Sequence, residues 1–328
     1  MTDALNTTAE AAAPAKPRRK RRLPDTAALA VVLVALAIFF STQSQFYLTP
    51  NNLINILVNA AVIGIIAAPG TLLLVAGQFD LSVGSGAAFI GVIMAWGATQ
   101  YGIPTAVLLA IAAGLIIGMV NGFAVTVLGI NALITTLATL AILRGLGQVI
   151  AGGQTLILSG FSGLGSARPF LDIPVPVMIL VVVVIIMALV MRFTVFGRSM
   201  YAIGANPVAA RLAGIRTRTT IFIGFVLSGL AVVIGGLILV SQLGAASPNA
   251  AMGLELSVVT AVILGGASLA GGRGTILGTV LGVLILGTLN NGLTLMNIDS
   301  FWQDVARGAL LLAAVGFDQL RLRLTADK

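Results

Sequence analysis

The sequence has no cysteine, no histidine and only three lysines, Lys16, Lys20 and Lys328. The first two absences exclude disulfides, thiol nucleophiles, imidazole general bases and every metal site built on Cys or His. The third excludes a G-x-x-x-x-G-K-[ST] phosphate loop, because none of the lysines follows a glycine. No cofactor is therefore expected in this chain, and if ATP drives it, another subunit must bind the nucleotide. Charge of either sign is scarce as well. Charged residues make up 9% of the chain, against about 25% in soluble domains.

What is present is apolar. Hydrophobic residues account for 58% of the 328 positions, glycine for another 39, and the mean hydropathy is +1.09. So little polar material cannot clothe a water-facing surface, so most of the chain must face lipid or other protein. The lipid bilayer is its solvent. A helix needs about 20 mostly apolar residues to cross the hydrocarbon core. Segments 26–43, 53–75, 83–99, 104–128, 132–151, 175–191, 220–240, 254–269, 276–295 and 301–316 answer to that description. They have helical rather than strand periodicity, which argues against a barrel. The expected fold is an all-α integral membrane protein of about ten transmembrane helices. The shorter segments, 83–99, 254–269 and 301–316, are candidates for tilted, re-entrant or broken helices.

The net charge is +8 and the pI is near 11. In a soluble chain that balance would suggest a nucleic-acid partner. Here it is an orientation signal, and no nucleic acid is expected. With the N-terminus inside, ten spans place fifteen of the eighteen basic residues on the cytoplasmic side, with only Arg168 outside and Arg144 and Arg307 within spans. That segregation follows the positive-inside rule. It predicts a multi-pass protein of the bacterial cytoplasmic (inner) membrane with both termini cytoplasmic. Residues 1–24 are expected to be a disordered basic tail, 25–318 the membrane domain and 319–328 a C-terminal tail. The apolar stretch 27–40 runs into polar residues 41–44 with no small-residue cleavage site, so it reads as a retained span.

Two stretches repeat. Asp80-Leu81-Ser82-Val83 is echoed by Glu255-Leu256-Ser257-Val258, and Gly118-Met119-Val120-Asn121-Gly122 by Gly287-Thr288-Leu289-Asn290-Asn291-Gly292. Both map span n onto span n+5, and the fifth member of each set carries one arginine, Arg144 or Arg307. Five spans per repeat is an odd number, which implies a 5+5 inverted repeat with a substrate path at its interface.

Polar residues in apolar text are the candidates for function. Segment 75–85 breaks an apolar run with Gly77, Asp80, Ser82 and Ser85. Asp80 either caps the following helix or lines a pathway opened by a discontinuous helix. Asn121, Asn290 and Asn291 are either interhelical glue or path lining. Arg307 could snorkel to a headgroup; Arg144 is too deep for that to be easy. The glycine-rich run 265–274 reads as a tight cytoplasmic turn, since no strand precedes it. The polar stretch 197–215 contains a short helix from near Pro207 to Gly214, which either lies on headgroups or docks a soluble partner.

Four motifs, in order, are similar to the permease subunits of bacterial ATP-binding-cassette sugar importers of the ribose/xylose/arabinose type. They are Gly77–Ser85, the loop G-R-x-x-Y-A-I-G-x-N-x-x-A-A-R-L-A-G-I at 197–215, V-I-L-G-G-A-S-L-A-G-G-R-G-T-I-L-G-T at 262–279 and L-G-T-L-N-N-G-L at 286–293. The resemblance covers about 51–318. Ala76-Gly77-Gln78 departs from the Gly-Gly usual there. The resemblance implies a transport subunit rather than an enzyme, working with a second permease copy, identical or related. It also implies a separate ATP-binding subunit holding ATP and Mg, and a periplasmic or extracytoplasmic sugar-binding protein. It makes 197–215 an ATPase coupling loop, with Arg198, Tyr201, Gly204, Asn206, Arg211 and Gly214 as its key residues. The translocation path then draws on Asp80, Ser82, Asn121, Arg144, Glu255, Asn290 and Asn291. Two other classes compete. One is an ion-coupled secondary transporter of a small polar solute using Asp80 and Glu255; the other is a membrane scaffold or channel.

Overall fold

The computed structural model describes residues 25–326, with side chains from 26 to 316, so the expected basic tail 1–24 lies outside it. Among the described residues, eight helices are long and apolar enough to cross a membrane. They are α1 (Asp25–Gln43), α2 (Pro50–Val75), α3 (Val83–Tyr101), α4 (Ile103–Thr126), α5 (Ala132–Ala151), α7 (Val175–Phe193), α10 (Thr217–Leu243) and α12 (Ile276–Leu295). Shorter pieces connect them: α6 (Gly163–Ser166), α8 (Val195–Ala205), α9 (Pro207–Leu212) and α11 (Leu254–Leu264). The last helix, α13 (Ser300–Ala326), runs across the position where the tail was expected to begin.

The expected eighth span is a half-helix. α11 has 11 residues, which at 1.5 Å per residue cover about 16 Å, roughly half the hydrocarbon core. The cause is local: the chain turns at Gly266, whose φ is +88°, while residues 265–269 remain apolar enough to look like a continuing span.

Short polar residues set the helix starts. Asn131 accepts hydrogen bonds from the backbone N–H of Leu133 and Ile134, Thr194 from Gly197, Asn206 from Val208 and Ala209, and Thr275 from Gly278. At the other end, α5 and α10 stop at the left-handed glycines Gly152 and Gly244.

Burial sorts the helices into centre and rim. The apolar windows of α2, α3 and α10 are 72%, 67% and 67% buried, whereas that of α1 is 6% buried. The packing follows the repeat. α3, α4 and α5 pack on one another as α11, α12 and α13 do; α10 lies against α3 and α4, and α2 against α11 and α12. Exchanging α2 with α10 and α3, α4, α5 with α11, α12, α13 thus maps the pattern onto itself, with the α2–α10 contact shared. α1 and α7 break it, α1 packing on α12 and α7 on α2.

Small residues allow these approaches. A Cβ on Gly118 of α4 would stand 2.6 Å from the Phe225 carbonyl oxygen of α10. Its repeat counterpart, Gly287 of α12, faces Ala60 and Ile56 of α2 with more room.

The two ends of the bundle differ. At one, the two-residue strands β1 (Leu156–Ile157) and β2 (Ala245–Ala246) pair antiparallel, joining the segment after α5 to the segment after α10. At the other, the end of α2, helix α8 and the turn 266–274 pack together. There Gly272 N–H donates to the Val75 carbonyl at 2.8 Å.

Candidate functional site

The repeat brings the starts of α3 and α11 face to face. A Cβ on Gly84, second residue of α3, would overlap the Glu255 carboxylate and come within 3.1 Å of the Ala251 carbonyl oxygen. A side chain at 84 would have to push the flexible Glu255 carboxylate aside. Each of the two helix starts follows an irregular segment, 76–82 or 247–253.

On the α3 side the predicted residues form one closed network. Asp80 Oδ1 accepts from Ser82 N at 3.0 Å and Ser82 Oγ at 2.6 Å, and its Oδ2 accepts from Ser228 Oγ of α10 at 2.7 Å. Asn121 of α4 donates to Ser82 Oγ at 2.9 Å and accepts from Thr139 Oγ1 of α5 at 2.7 Å. The helix cap is Ser82, with Asp80 forming a turn just ahead of it. Four helices are thereby joined through side chains. Arg144 of α5 also has partners: Nη1 donates to the carbonyls of Pro248 at 2.6 Å and Ala250 at 3.2 Å, while Gln148 one turn on donates to Asn249 Oδ1. This half-buried arginine clamps the irregular segment that leads into α11.

The α11 side carries the matching residue types in a different state. Glu255 Oε2, Asn290 Oδ1 and Arg307 Nε are buried and have no hydrogen-bond partner; Thr135 Oγ1 of α5 shares that condition. Arg307 Nη1 does reach the exposed Asp304 at 3.1 Å. Asn291 is fully engaged with Asn52 of α2 in a reciprocal amide pair at 2.9 and 2.8 Å.

Sequence reasoning did not single out Ser228, Thr139 or Asn52. Each is a small polar residue in an apolar helix, given meaning only by a partner far away in sequence. The spacing within α4 and α5 holds a faint signal, since Asn121 and Thr139 recur among otherwise apolar positions.

At the end bearing the 266–274 turn, the polar stretch is two helices rather than one. α8, which sequence reasoning passed over, precedes α9, and the Thr194 cap marks its start. Gly204 lies against the Val75 carbonyl and the Gly272 amide so closely that any side chain would overlap both. Tyr201 OH donates to the Gly274 carbonyl at 2.7 Å, and partial burial pushes its phenol pKa up. Asn206 caps α9, Gly214 adopts a φ of +82°, Arg211 Nε donates to the Pro207 carbonyl, and Arg198 makes only a long 3.5 Å contact to Phe193 O. Beside them opens a cleft of about 740 Å³, lined by Gln78, Val127, Asn131, Pro207, Arg211 and Arg218 among others. Among the described residues the only ion pair is Arg307–Asp304, so the cleft arginines face no carboxylate.

Comparison with known proteins identifies the family. The family described as branched-chain amino acid transport system / permease component matches residues 52–315. The L-arabinose transport system permease protein of Escherichia coli (strain K12) is 42% identical over 298 residues, 89% of this chain and 88% of that protein. The ribose import permease protein of the same strain is 39% identical over 311 residues, covering 91% and 95%. That of Bacillus subtilis (strain 168) is 40% identical over 294 residues, covering 88% and 90%. No solved structure matches the chain significantly.

Proposed function

The chain belongs to the branched-chain amino acid transport system / permease component family, and from that premise we propose that it is the permease subunit of an ATP-binding-cassette importer of a ribose-type monosaccharide. The observation that carries the reading is near full-length similarity to permeases named for ribose and L-arabinose. The absence of a phosphate loop supports the division of labour: a separate subunit binds ATP and Mg. An extracytoplasmic binding protein delivers the sugar, and a second permease copy completes the path. The membrane domain spans 25–318, with 1–24 and 319–328 as cytoplasmic tails, in the bacterial cytoplasmic membrane.

The end bearing α8 and α9 faces the cytoplasm in this reading. Its arginines, including Arg192, Arg198, Arg211, Arg216 and Arg218, agree with the positive-inside rule. α8 and α9 form the coupling element. Because Gly204 packs backbone to backbone on the end of α2 and on the 266–274 turn, a push on α8 is passed to both halves of the repeat. Asp80, Ser82, Asn121, Arg144, Glu255, Asn290 and Asn291 line or support the path. The closed bonds of Asp80, Ser82, Asn121, Arg144 and Asn291 favour support.

The test is reconstitution in proteoliposomes with the ATPase subunit and the binding protein, loaded with ribose or L-arabinose. Uptake is expected to require ATP and all three components. Uptake by this chain alone under a proton or sodium gradient would overturn the reading in favour of ion coupling. Arg211→Glu, at the exposed coupling helix, is expected to reduce stimulation of ATP hydrolysis by the loaded binding protein.

A further inference from the structure

The 740 Å³ cleft beside α8 and α9 lies where three membrane spans end: α4 closes at Thr126, α5 begins at Ala132 and α10 begins at Thr217. One wall is made of hydrogen-bond donors free of protein partners. Arg211 and Arg218 line it, and among the described residues no carboxylate lines it with them. Arg211 commits only its Nε, to the Pro207 carbonyl, and Arg218 makes no hydrogen bond or ion pair among the described residues. Asn131 spends its Oδ1 on capping α5, which leaves its Nδ2 amino group free. Thr217 adds a hydroxyl with no partner. Such a wall suits an anion with several acceptor oxygens. The other wall is apolar. Val127 and Leu133 line the cleft, and each stands four residues from a further exposed apolar side chain, Phe123 on α4 and Leu137 on α5. Residues four apart share a helix face, so an apolar stripe leads out of the cleft along both spans. A ligand that uses both walls has an anionic head and hydrocarbon chains.

We propose that this cleft binds the phosphodiester headgroup of an anionic phospholipid of the cytoplasmic leaflet. Arg211, Arg218, Asn131 and Thr217 hold the phosphate, and the acyl chains lie along the stripe on α4 and α5. The leaflet on that side is negatively charged, and basic pockets between membrane helices there hold such headgroups. Soluble phosphate would meet the same donors but leave the apolar stripe unused. A lipid held in the cleft ties α9, which carries Arg211, to the starts of α5 and α10. The charge of the membrane then bears directly on the coupling element. The proposal uses the orientation of the chain and not its cargo, so it stands whichever solute is carried.

The experiment titrates the purified full chain, alone and assembled with its ATPase subunit, with phosphatidylglycerol or phosphatidylcholine and counts bound lipid by native mass spectrometry. Phosphatidylglycerol is expected to be retained and phosphatidylcholine to be lost. Arg218→Gln is expected to weaken retention about fivefold, the scale of one basic residue at an anionic surface. Arg218→Lys keeps the charge and is expected to recover most of it. Arg168→Gln, an exposed change at the other end of the bundle, is expected to leave retention unchanged. Because Arg218 is exposed and unbonded, its variants are expected to keep the thermal midpoint of the unmodified protein. Equal retention of phosphatidylglycerol by Arg218→Gln overturns the proposal, as does equal retention of phosphatidylcholine by the unmodified protein. Displacement by inorganic phosphate or glycerol phosphate would make the cleft a soluble-anion site. Displacement by the ATPase subunit would make it a protein-docking surface. Either result overturns the lipid as occupant.

Discussion

The half of the bundle built from α3, α4 and α5 and the half built from α11, α12 and α13 start from similar sequence and reach different solutions for the carboxylate and amide they share. In the first, Asp80, Ser82 and Asn121 exchange hydrogen bonds with Ser228 and Thr139 until neither the carboxylate nor the amide is unmet. In the second, Glu255, Asn290 and Arg307 each keep one buried atom without a partner. The helix lengths diverge in the same way: α3 runs 19 residues and α11 only 11. A duplicated fold can therefore treat equivalent polar positions differently in its two copies. Both inherit the inward-pointing polar positions; whether those positions lock the fold or stay open depends on the small hydroxyl residues around them.

The strongest way to break this comparison is at the paired glycines. Gly118→Ala places a Cβ against the α10 backbone, so it is expected to cost about 2–3 kcal/mol of stability, seen as lower folded yield and thermal midpoint in detergent. Gly287→Ala meets only Ala60 and Ile56, with its nearest contact at 3.4 Å, and is expected to cost under about 1 kcal/mol. Equal losses would mean that the halves are equally tight. Next in size, Asn121→Leu removes the bonds to Ser82 and Thr139, which keep Asp80 and the Thr135 carbonyl as partners, and should cost about 1–2 kcal/mol, while Asn290→Leu should leave thermal stability nearly unchanged. If Asn290→Leu proves the more damaging, the scaffold lies in the other half. Arg144→Gln is expected to cost about 1–2 kcal/mol. Its signature would be faster amide exchange across residues 247–253 with little change across 76–82. The smallest effect belongs to Tyr201→Phe, which removes one partly exposed hydrogen bond worth about 1 kcal/mol or less. It should modestly reduce ATPase stimulation while leaving both polar clusters intact.

Much of this was legible in the sequence and some of it was not, for identifiable reasons. Long apolar runs announced α2, α5, α7, α10 and α12, because lipid demands about 20 apolar residues whatever the tertiary contacts. The Asp80/Glu255 and Asn121/Asn290 echoes exposed the repeat. The stopping point of α11 was hidden, since Gly265 and Gly266 end a helix by conformation rather than by polarity. α8 was hidden too: two glycines and an arginine disguised an 11-residue helix whose Thr194 cap was the available clue. The partners of the polar residues were out of reach. Nothing local links Asp80 to Ser228 or Asn52 to Asn291, which meet only after the helices have packed. The same holds for the contrast between closed and open clusters, which depends on those partners.

The short pairing of Leu156–Ile157 with Ala245–Ala246 has a mechanical consequence. A ribbon two residues long has too few hydrogen bonds to be stable by itself, and each contributes only about 1 kcal/mol. It is a zip with very few teeth, fastened across the mouth of the bundle. The opposite mouth is held by backbone pressed against backbone at Gly204, Val75 and Gly272. The ribbon end has a second fastening of the same kind, Gly165 pressed on the Ser241–Gln242 backbone with its N–H donating to Ser241 Oγ at 2.8 Å, so the zip can open without parting that mouth.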